Sequence, residues 1–181
     1  MLRRMSKELG FFADEVEEVT LRGKRISSSK IRGLLAEGKI NLARRMLGRP
    51  YGVEGMIIRG NRRGHTIGFP TANLHPHNRV IPKFGVYATA TLVGGVWRRS
   101  ITNIGVRPTF EKGAEPSIET YLFDFDGNLY GDVLRVRFLH RIREERKFSG
   151  IDELKAQIEK DTKRALNYFH HKGVHNMLDL V

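Results

Sequence analysis

Residues 60–73 read Gly60-Asn61-Arg62-Arg63-Gly64-His65-Thr66-Ile67-Gly68-Phe69-Pro70-Thr71-Ala72-Asn73. Gly60, Gly64 and Gly68 recur at four-residue spacing, which leaves the backbone free to turn its N–H groups toward an anion. Arg62 and Arg63 add cationic donors, and Thr71 and Asn73 follow with neutral oxygens. Together these are the parts for holding a metal-bound phosphate. The pattern is not that of a P-loop, because no Gly-Lys-Ser/Thr follows the glycines and Pro70 disfavours helix entry at Phe69. The same glycines would also serve a surface turn between two strands. Thr71 and Asn73 would then close that turn through side-chain to backbone hydrogen bonds.

A base for phosphoryl transfer is offered by Glu119. If residues 117–125 form a strand, Glu119 shares a face with Tyr121, Phe123 and Phe125. A carboxylate on such a surface is suited to take the proton of a primary alcohol as that oxygen attacks phosphorus. Strand parity alone is equally compatible with a glutamate whose head lies in solvent. Other polar groups give no site. His75 and His77, and the group His170, His171 and His175, lack the carboxylate or thiolate company of a zinc centre. Asp124, Asp126 and Asp132 imitate an acidic cluster, but Asp126 beside Gly127 reads as a turn residue.

Phe69-Pro70-Thr71-Ala72-Asn73 resembles the Pro-Thr-Ala-Asn signature of riboflavin kinases, the module found at the C-terminal end of bacterial bifunctional FAD synthetases. Later pieces follow in that family's order: Ile81-Pro82 before Gly85-Val86-Tyr87, Asn103-Ile104-Gly105-Val106-Arg107-Pro108-Thr109-Phe110, Ile118-Glu119-Thr120, Leu129-Tyr130-Gly131, and Ile142-Arg143-Glu144-Glu145 with Lys147-Phe148. The resemblance implies ATP- and Mg2+-dependent phosphorylation of the riboflavin 5′-hydroxyl to FMN. It implies Glu119 as catalytic base and Thr71 and Asn73 as metal ligands. On the ATP side it places Gly55, Gly60, Gly64, His65, Gly68 and Thr71. On the flavin side it places Arg107, Arg143 and Phe148, with residues 103–110 as a loop folding over the site. For His65 the alternative is a solvent-facing loop residue, and for Phe148 a core residue under the last helix.

Ile26-Ser27-Ser28-Ser29-Lys30-Ile31-Arg32 resembles the motif that closes the FMN adenylyltransferase domain of the same bifunctional proteins, with Ser29 where threonine is commoner. The His-x-Gly-His element of that domain is missing. Residues 1–50 are therefore expected to be the tail of an adenylyltransferase domain and a linker, and residues 51–181 a riboflavin kinase domain. FAD synthesis would belong to an upstream domain, the natural partner of this module, and no FMN adenylylation is expected from this chain alone.

The elements that must carry these residues follow from periodicity. Leu2, Met5 and Leu9 have helical spacing up to Gly10, and Val16, Val19 and Leu21 suggest a short strand. A serine caps a helix that buries Ile31, Leu34 and Leu35, Gly38 ends it, and a second runs over residues 41–47. Strands are predicted over 53–58, 85–93 and 96–104, the last two joined by Gly94-Gly95, with a further pair over 117–125 and 129–139 across Asp126-Gly127-Asn128. A helix over 151–171, capped by Ser149, shows an apolar stripe of Ile151, Leu154, Ile158, Ala165, Leu166 and Phe169. Strands at this spacing without intervening helices predict a mainly β protein, an antiparallel barrel or sandwich. The resemblance selects a small Greek-key barrel with a C-terminal helix, preceded by a short helical segment.

Composition bounds the rest. A chain of 181 residues can bury a core. No stretch approaches the roughly 20 apolar residues of a membrane span, no apolar run follows the basic start, and there is no cysteine, which together fit a cytoplasmic protein without membrane partners. The net charge of +12 admits either a nucleic-acid binder or an enzyme acting on phosphates. Residues 22–49 hold nine Lys or Arg against Glu37 alone, yet contain no aromatic residue for base stacking. The rivals to the kinase are thus a basic nucleic-acid-binding barrel and a non-catalytic flavin or nucleotide module, with no nucleic-acid partner expected.

Overall fold

The computed structural model describes residues 2–14, 17–58, 68–106, 116–127, 129 and 132–171. Helix α1 (Leu2–Leu9) is followed by a small hairpin of β1 (Thr20–Leu21) and β2 (Lys24–Arg25), then by α2 (Ser28–Ala36) and α3 (Ile40–Leu47). Ser27 Oγ accepts the Lys30 N–H at 3.3 Å, the expected serine cap. Gly38 and Gly48 turn the chain after the two helices with φ of 75 and 71, a region that favours glycine. Leu34, Leu35, Ile40, Ala43 and Met46 join barrel residues such as Val53, Leu74, Tyr87 and Phe138 in one apolar cluster. The helical pair is therefore packed onto the barrel and shares its core.

The remaining strands are β3 (Tyr51–Ile58), β4 (Thr71–Pro76), β5 (Gly85–Val93), β6 (Val96–Val106), β7 (Pro116–Leu122) and β8 (Val133–Arg143). They close into an antiparallel barrel in the order β3-β4-β7-β6-β5-β8, with β8 pairing back onto β3. The jumps from β4 to β7 and from β5 to β8 make this the expected Greek-key barrel. Alternation follows strand period two: on β7, Ile118, Thr120 and Leu122 are buried, while Ser117, Glu119 and Tyr121 stand half-buried on the outer wall.

Part of the barrel interior is polar. Thr89, Thr91, Ser100, Thr102 and Thr120 are fully enclosed and bond to one another at 2.8–3.0 Å across β5, β6 and β7. A hydroxyl can both donate and accept, so these side chains link into one chain of bonds running from Thr91 through Ser100, Thr89 and Thr102 to Thr120. Outside the barrel, α4 (Ile151–His171) covers a second apolar cluster containing Val86, Ala88, Ile101, Phe123, Ala165 and Phe169. Among the described residues, no helix is long and apolar enough to cross a membrane.

Four expectations about elements need correction. Residues 71–76 form a strand, β4, where the sequence suggests a turn, because Pro70, Asn73 and Pro76 are weak β formers and mask the signal. Strands β7 and β8 do not pair with each other: β7 lies between β4 and β6, and β8 between β3 and β5. The Asp126-Gly127 turn signal is local and cannot register a crossover, and β7 stops at Leu122, so Phe125 does not share the face of Glu119. Residues 103–106 belong to β6 rather than to a loop. The buried face of α4 includes Gln157 and Asp161, whereas Ile151 and Leu166 are exposed.

Candidate active site

One transverse row of the barrel gathers the polar groups. Asn73 on β4 is paired with Glu119 on β7, and Glu119 is paired on its other side with Asn103 on β6. Directly paired Cα atoms lie about 5 Å apart, so the Glu119 carboxylate is flanked by two carboxamides. The next row on this outer wall holds Thr71, Tyr121 and Ile101. Thr71 and Asn73 are two residues apart on one strand and therefore share a face. Phe69 meets Tyr121 edge-on at 5.3 Å, and Tyr121 meets Phe123 at 5.7 Å. The expected aromatic setting of Glu119 is thus present along the strand, but its neighbours across the sheet are amides.

Behind this wall the hydroxyl network fixes the register. Thr120 lies between Glu119 and Tyr121, Thr102 lies between Ile101 and Asn103, and their hydroxyls bond at 3.0 Å. The row continues past Asn103 through Val86 to Arg143, the last residue of β8. The chain then folds back. A Cβ built on Gly105 would lie 2.1 Å from Glu145 Oε1 and 3.3 Å from Asn103 Nδ2, so the Glu145 carboxylate rests on bare backbone beside Asn103. Residues 143–150 therefore border the outer wall that carries Glu119.

This border is held at many points. Arg143 Nε donates to Asp161 Oδ2 at 2.7 Å, with the two side chains 16% and 2% exposed, and Gln157 donates to the other Asp161 oxygen. Arg143 Nη1 donates to the Glu144 carbonyl at 2.8 Å. The Phe148 ring has Arg143 at 5.6 Å and Arg146 at 4.7 Å. Ser149 donates through both its N–H and its hydroxyl to Glu153, and these bonds hold the Glu153 carboxyl below the usual range, with Arg146 adding to them. Ser149 thus ties to the start of α4 by donating to the Glu153 carboxylate, whereas the expected cap needs its hydroxyl to accept a helix N–H.

Of the residues read from the sequence, Glu119, Thr71 and Asn73 are brought together. Arg143 sits in the same row, but two of its donors are committed, one to Asp161 on α4 and one to the Glu144 carbonyl. Phe148 is half-buried and belongs to neither apolar cluster. Gly68 has φ of 83 and open space around it, as a turn leading into Phe69 requires. Gly55 has a packing reason to lack a side chain, since a Cβ there would lie 2.0 Å from the His75 carbonyl oxygen. Gly60, Gly64, His65 and Arg107 lie outside the described residues. Asn103 and Glu145 lie in stretches that the sequence marks, but no individual role is read for them there, because their place beside Glu119 and Gly105 depends on strand register and on the return of the loop.

Among the described residues, no group of three or more His, Cys, Asp or Glu can hold a metal ion. The oxygens of Thr71 and Asn73 nonetheless suit a hard divalent cation that takes its other ligands from phosphate and water. A cavity of about 420 Å³ opens elsewhere, between the 38–42 turn and His140 and Arg141, and contains none of these groups. Several cations of the basic stretch have protein partners: Arg25 pairs with Glu18 at 2.9 Å, and Lys39 with Glu37 at 2.6 Å.

Comparison with known proteins gives a consistent result. The riboflavin kinase family model matches residues 47–169. The bifunctional riboflavin kinase/FMN adenylyltransferase of Bacillus subtilis is 47% identical over 157 residues, covering 85% of this chain and 50% of that protein. Its counterpart from Haemophilus influenzae is 44% identical over 171 residues, covering 94% of this chain and 55% of that protein. A solved structure from Streptococcus pneumoniae, described as a macrolide-efflux protein, superposes with a TM-score of 0.78 at 36% identity, covering 84% of this chain and 50% of that one. The chain spans about half the length of the curated relatives it matches.

Proposed function

The chain belongs to the riboflavin kinase family, and from that premise we propose that it transfers the γ-phosphoryl group of ATP to the 5′-hydroxyl of riboflavin, giving FMN and ADP. The observation that carries this reading is the row Asn73, Glu119, Asn103, with Thr71 beside it. Glu119 accepts the proton of the ribityl 5′-hydroxyl while that oxygen bonds to the γ-phosphorus and the bond to the ADP oxygen breaks. The proton leaves later to water. Asn73 and Asn103 orient the carboxylate and offer amide groups to a polyol. Thr71 and Asn73 would hold Mg2+ through their side-chain oxygens, and the ion would supply neutralisation of phosphate charge. Catalysis then depends mainly on alignment, which a rigid barrel wall supplies.

The 143–150 loop borders the flavin, with Phe148 as packing surface and Arg143 as its anchor. Gly68 and the glycines before it serve the ATP side. We read residues 1–50 as the tail of an adenylyltransferase domain and a linker, and residues 51–181 as the kinase domain of a cytoplasmic protein. FAD formation then belongs to the part of the relatives that this chain does not span, and the adenylyltransferase domain is the partner.

The test is a Glu119→Gln variant assayed with riboflavin, ATP and Mg2+. FMN formation should fall by about 10²–10⁴-fold, the usual contribution of a general base, with ATP binding within about two-fold of the parent. A variant that turns over normally overturns the role of Glu119. A parent protein that makes no FMN overturns the kinase reading itself.

A further inference from the structure

We propose that Arg141 is a positioning residue for the flavin side of the site, tying the α2–α3 pair to the loop after β8; its substrate rests on the kinase reading above. Arg141 lies in a slot between two glycines. A Cβ on Gly38 would lie 2.8 Å from Arg141 Cδ and Nε, and one on Gly85 would lie 3.1 Å from Nη2. Both glycines have positive φ, 75 and 151, so the slot excludes side chains by conformation as well as by space.

From this slot Arg141 reaches two parts of the chain directly. Its Nη2 donates to the Phe84 carbonyl, just before β5, at 2.8 Å. The guanidinium faces the Glu144 carboxylate at 3.6 Å, with the arginine side chain 19% exposed and the glutamate 70%. Glu144 also takes Lys83 Nζ at 3.0 Å, and the Lys83 backbone N–H donates to the Leu35 carbonyl in α2 at 2.9 Å. The hydroxyl of Tyr87 donates to the Lys83 carbonyl and closes the set. Both cations hold the Glu144 carboxyl below the usual range, Lys83 more strongly.

The consequence lies one residue away. The Glu144 carbonyl receives Arg143 Nη1, and Arg143 lies over Phe148, so a displacement of Glu144 moves the flavin border. Thr71, Asn73 and Glu119 stand on β4 and β7, which Arg141 does not pair with. Breaking the ion pair between Arg141 and Glu144 should therefore weaken riboflavin binding and spare both ATP and the chemical step.

The experiment compares Arg141→Gln, Arg141→Lys, Glu144→Gln and the Arg141→Gln, Glu144→Gln pair. Riboflavin and ATP are varied separately, and riboflavin binding is read from quenching of its own fluorescence. In the Gln variants KM and Kd for riboflavin should rise about three- to five-fold, while kcat and KM for ATP stay within about two-fold. The pair should be no worse than either single change, and Arg141→Lys should recover part of the affinity. Equal rises in both KM values, a decrease confined to kcat, or additive effects overturn the proposal. If Arg141→Gln fails to fold, Glu144→Gln decides alone, since its side chain is largely in solvent. If the parent makes no FMN, amide hydrogen exchange over residues 144–150 judges the clamp. Faster exchange in Glu144→Gln supports it, and unchanged exchange overturns it.

Discussion

A carboxylate between two carboxamides is an economical way to aim a base without neutralising it. Asn73 and Asn103 hold no charge, so from their paired positions they would aim Glu119 without placing a formal charge beside it. The division of labour on β4 can be tested directly. In a Thr71→Ala, Asn73→Ala protein, the Mg2+ concentration for half-maximal FMN formation should rise at least about ten-fold, while riboflavin binding without ATP stays unchanged. A Mg2+ titration of activity, paired with flavin fluorescence, checks both halves. At this scale much was legible in the sequence, because Thr71, Asn73 and Glu119, which the fold brings together, stand in recognisable local patterns. Asn103 was not, since an asparagine acquires its role only from the strand that pairs with its own.

Strands β5, β6 and β7 are bound to one another on their inner face by hydroxyls as well as by backbone ladders. Thr102 is the shared member, bonded to Thr89 at 2.8 Å and to Thr120 at 3.0 Å. Thr102→Val keeps the shape but deprives two enclosed hydroxyls of a partner. It should cost about 1–3 kcal/mol in urea unfolding, and kcat should fall less than in Glu119→Gln. The β5–β6 hairpin was legible because Gly94 and Gly95 take positive φ, 55 and 78, at the turn their identity announces. The long helix was legible from its spacing. Strand β4 was not, because Asn73 and Pro76 within it and Pro70 before it argue against a strand that its two neighbours stabilise. The partners of β7 and β8 were hidden for a related reason: which strands meet across a crossover is a property of closure, not of adjacent residues.

Charge and composition say little about how residues 1–50 meet the rest, and here the coordinates add most. Leu35 is 1% exposed and belongs to the cluster that also contains Val53, Leu134 and Phe138. Leu35→Ala should destabilise the whole protein by about 2–5 kcal/mol in one cooperative urea transition. Two separate transitions, with the barrel unmoved, would show instead that the helical pair is an independent appendage. The same coupling lets Arg141 act at a distance from the reacting groups, because the α2–α3 pair forms part of the scaffold on which the loop after β8 is hung.

Closure at the β3–β8 seam, registered from Tyr51↔Phe138 to Met56↔Val133, bears on behaviour in crowded solution. With the sheet wrapped upon itself, the free ladder edges left among the described residues belong to the two-residue hairpin of β1 and β2. Such short edges template poorly, so neighbouring molecules have little purchase for growing cross-strand fibrils while the barrel stays shut. A protein module that docks on the closed barrel therefore meets side chains there and finds no open strand to extend.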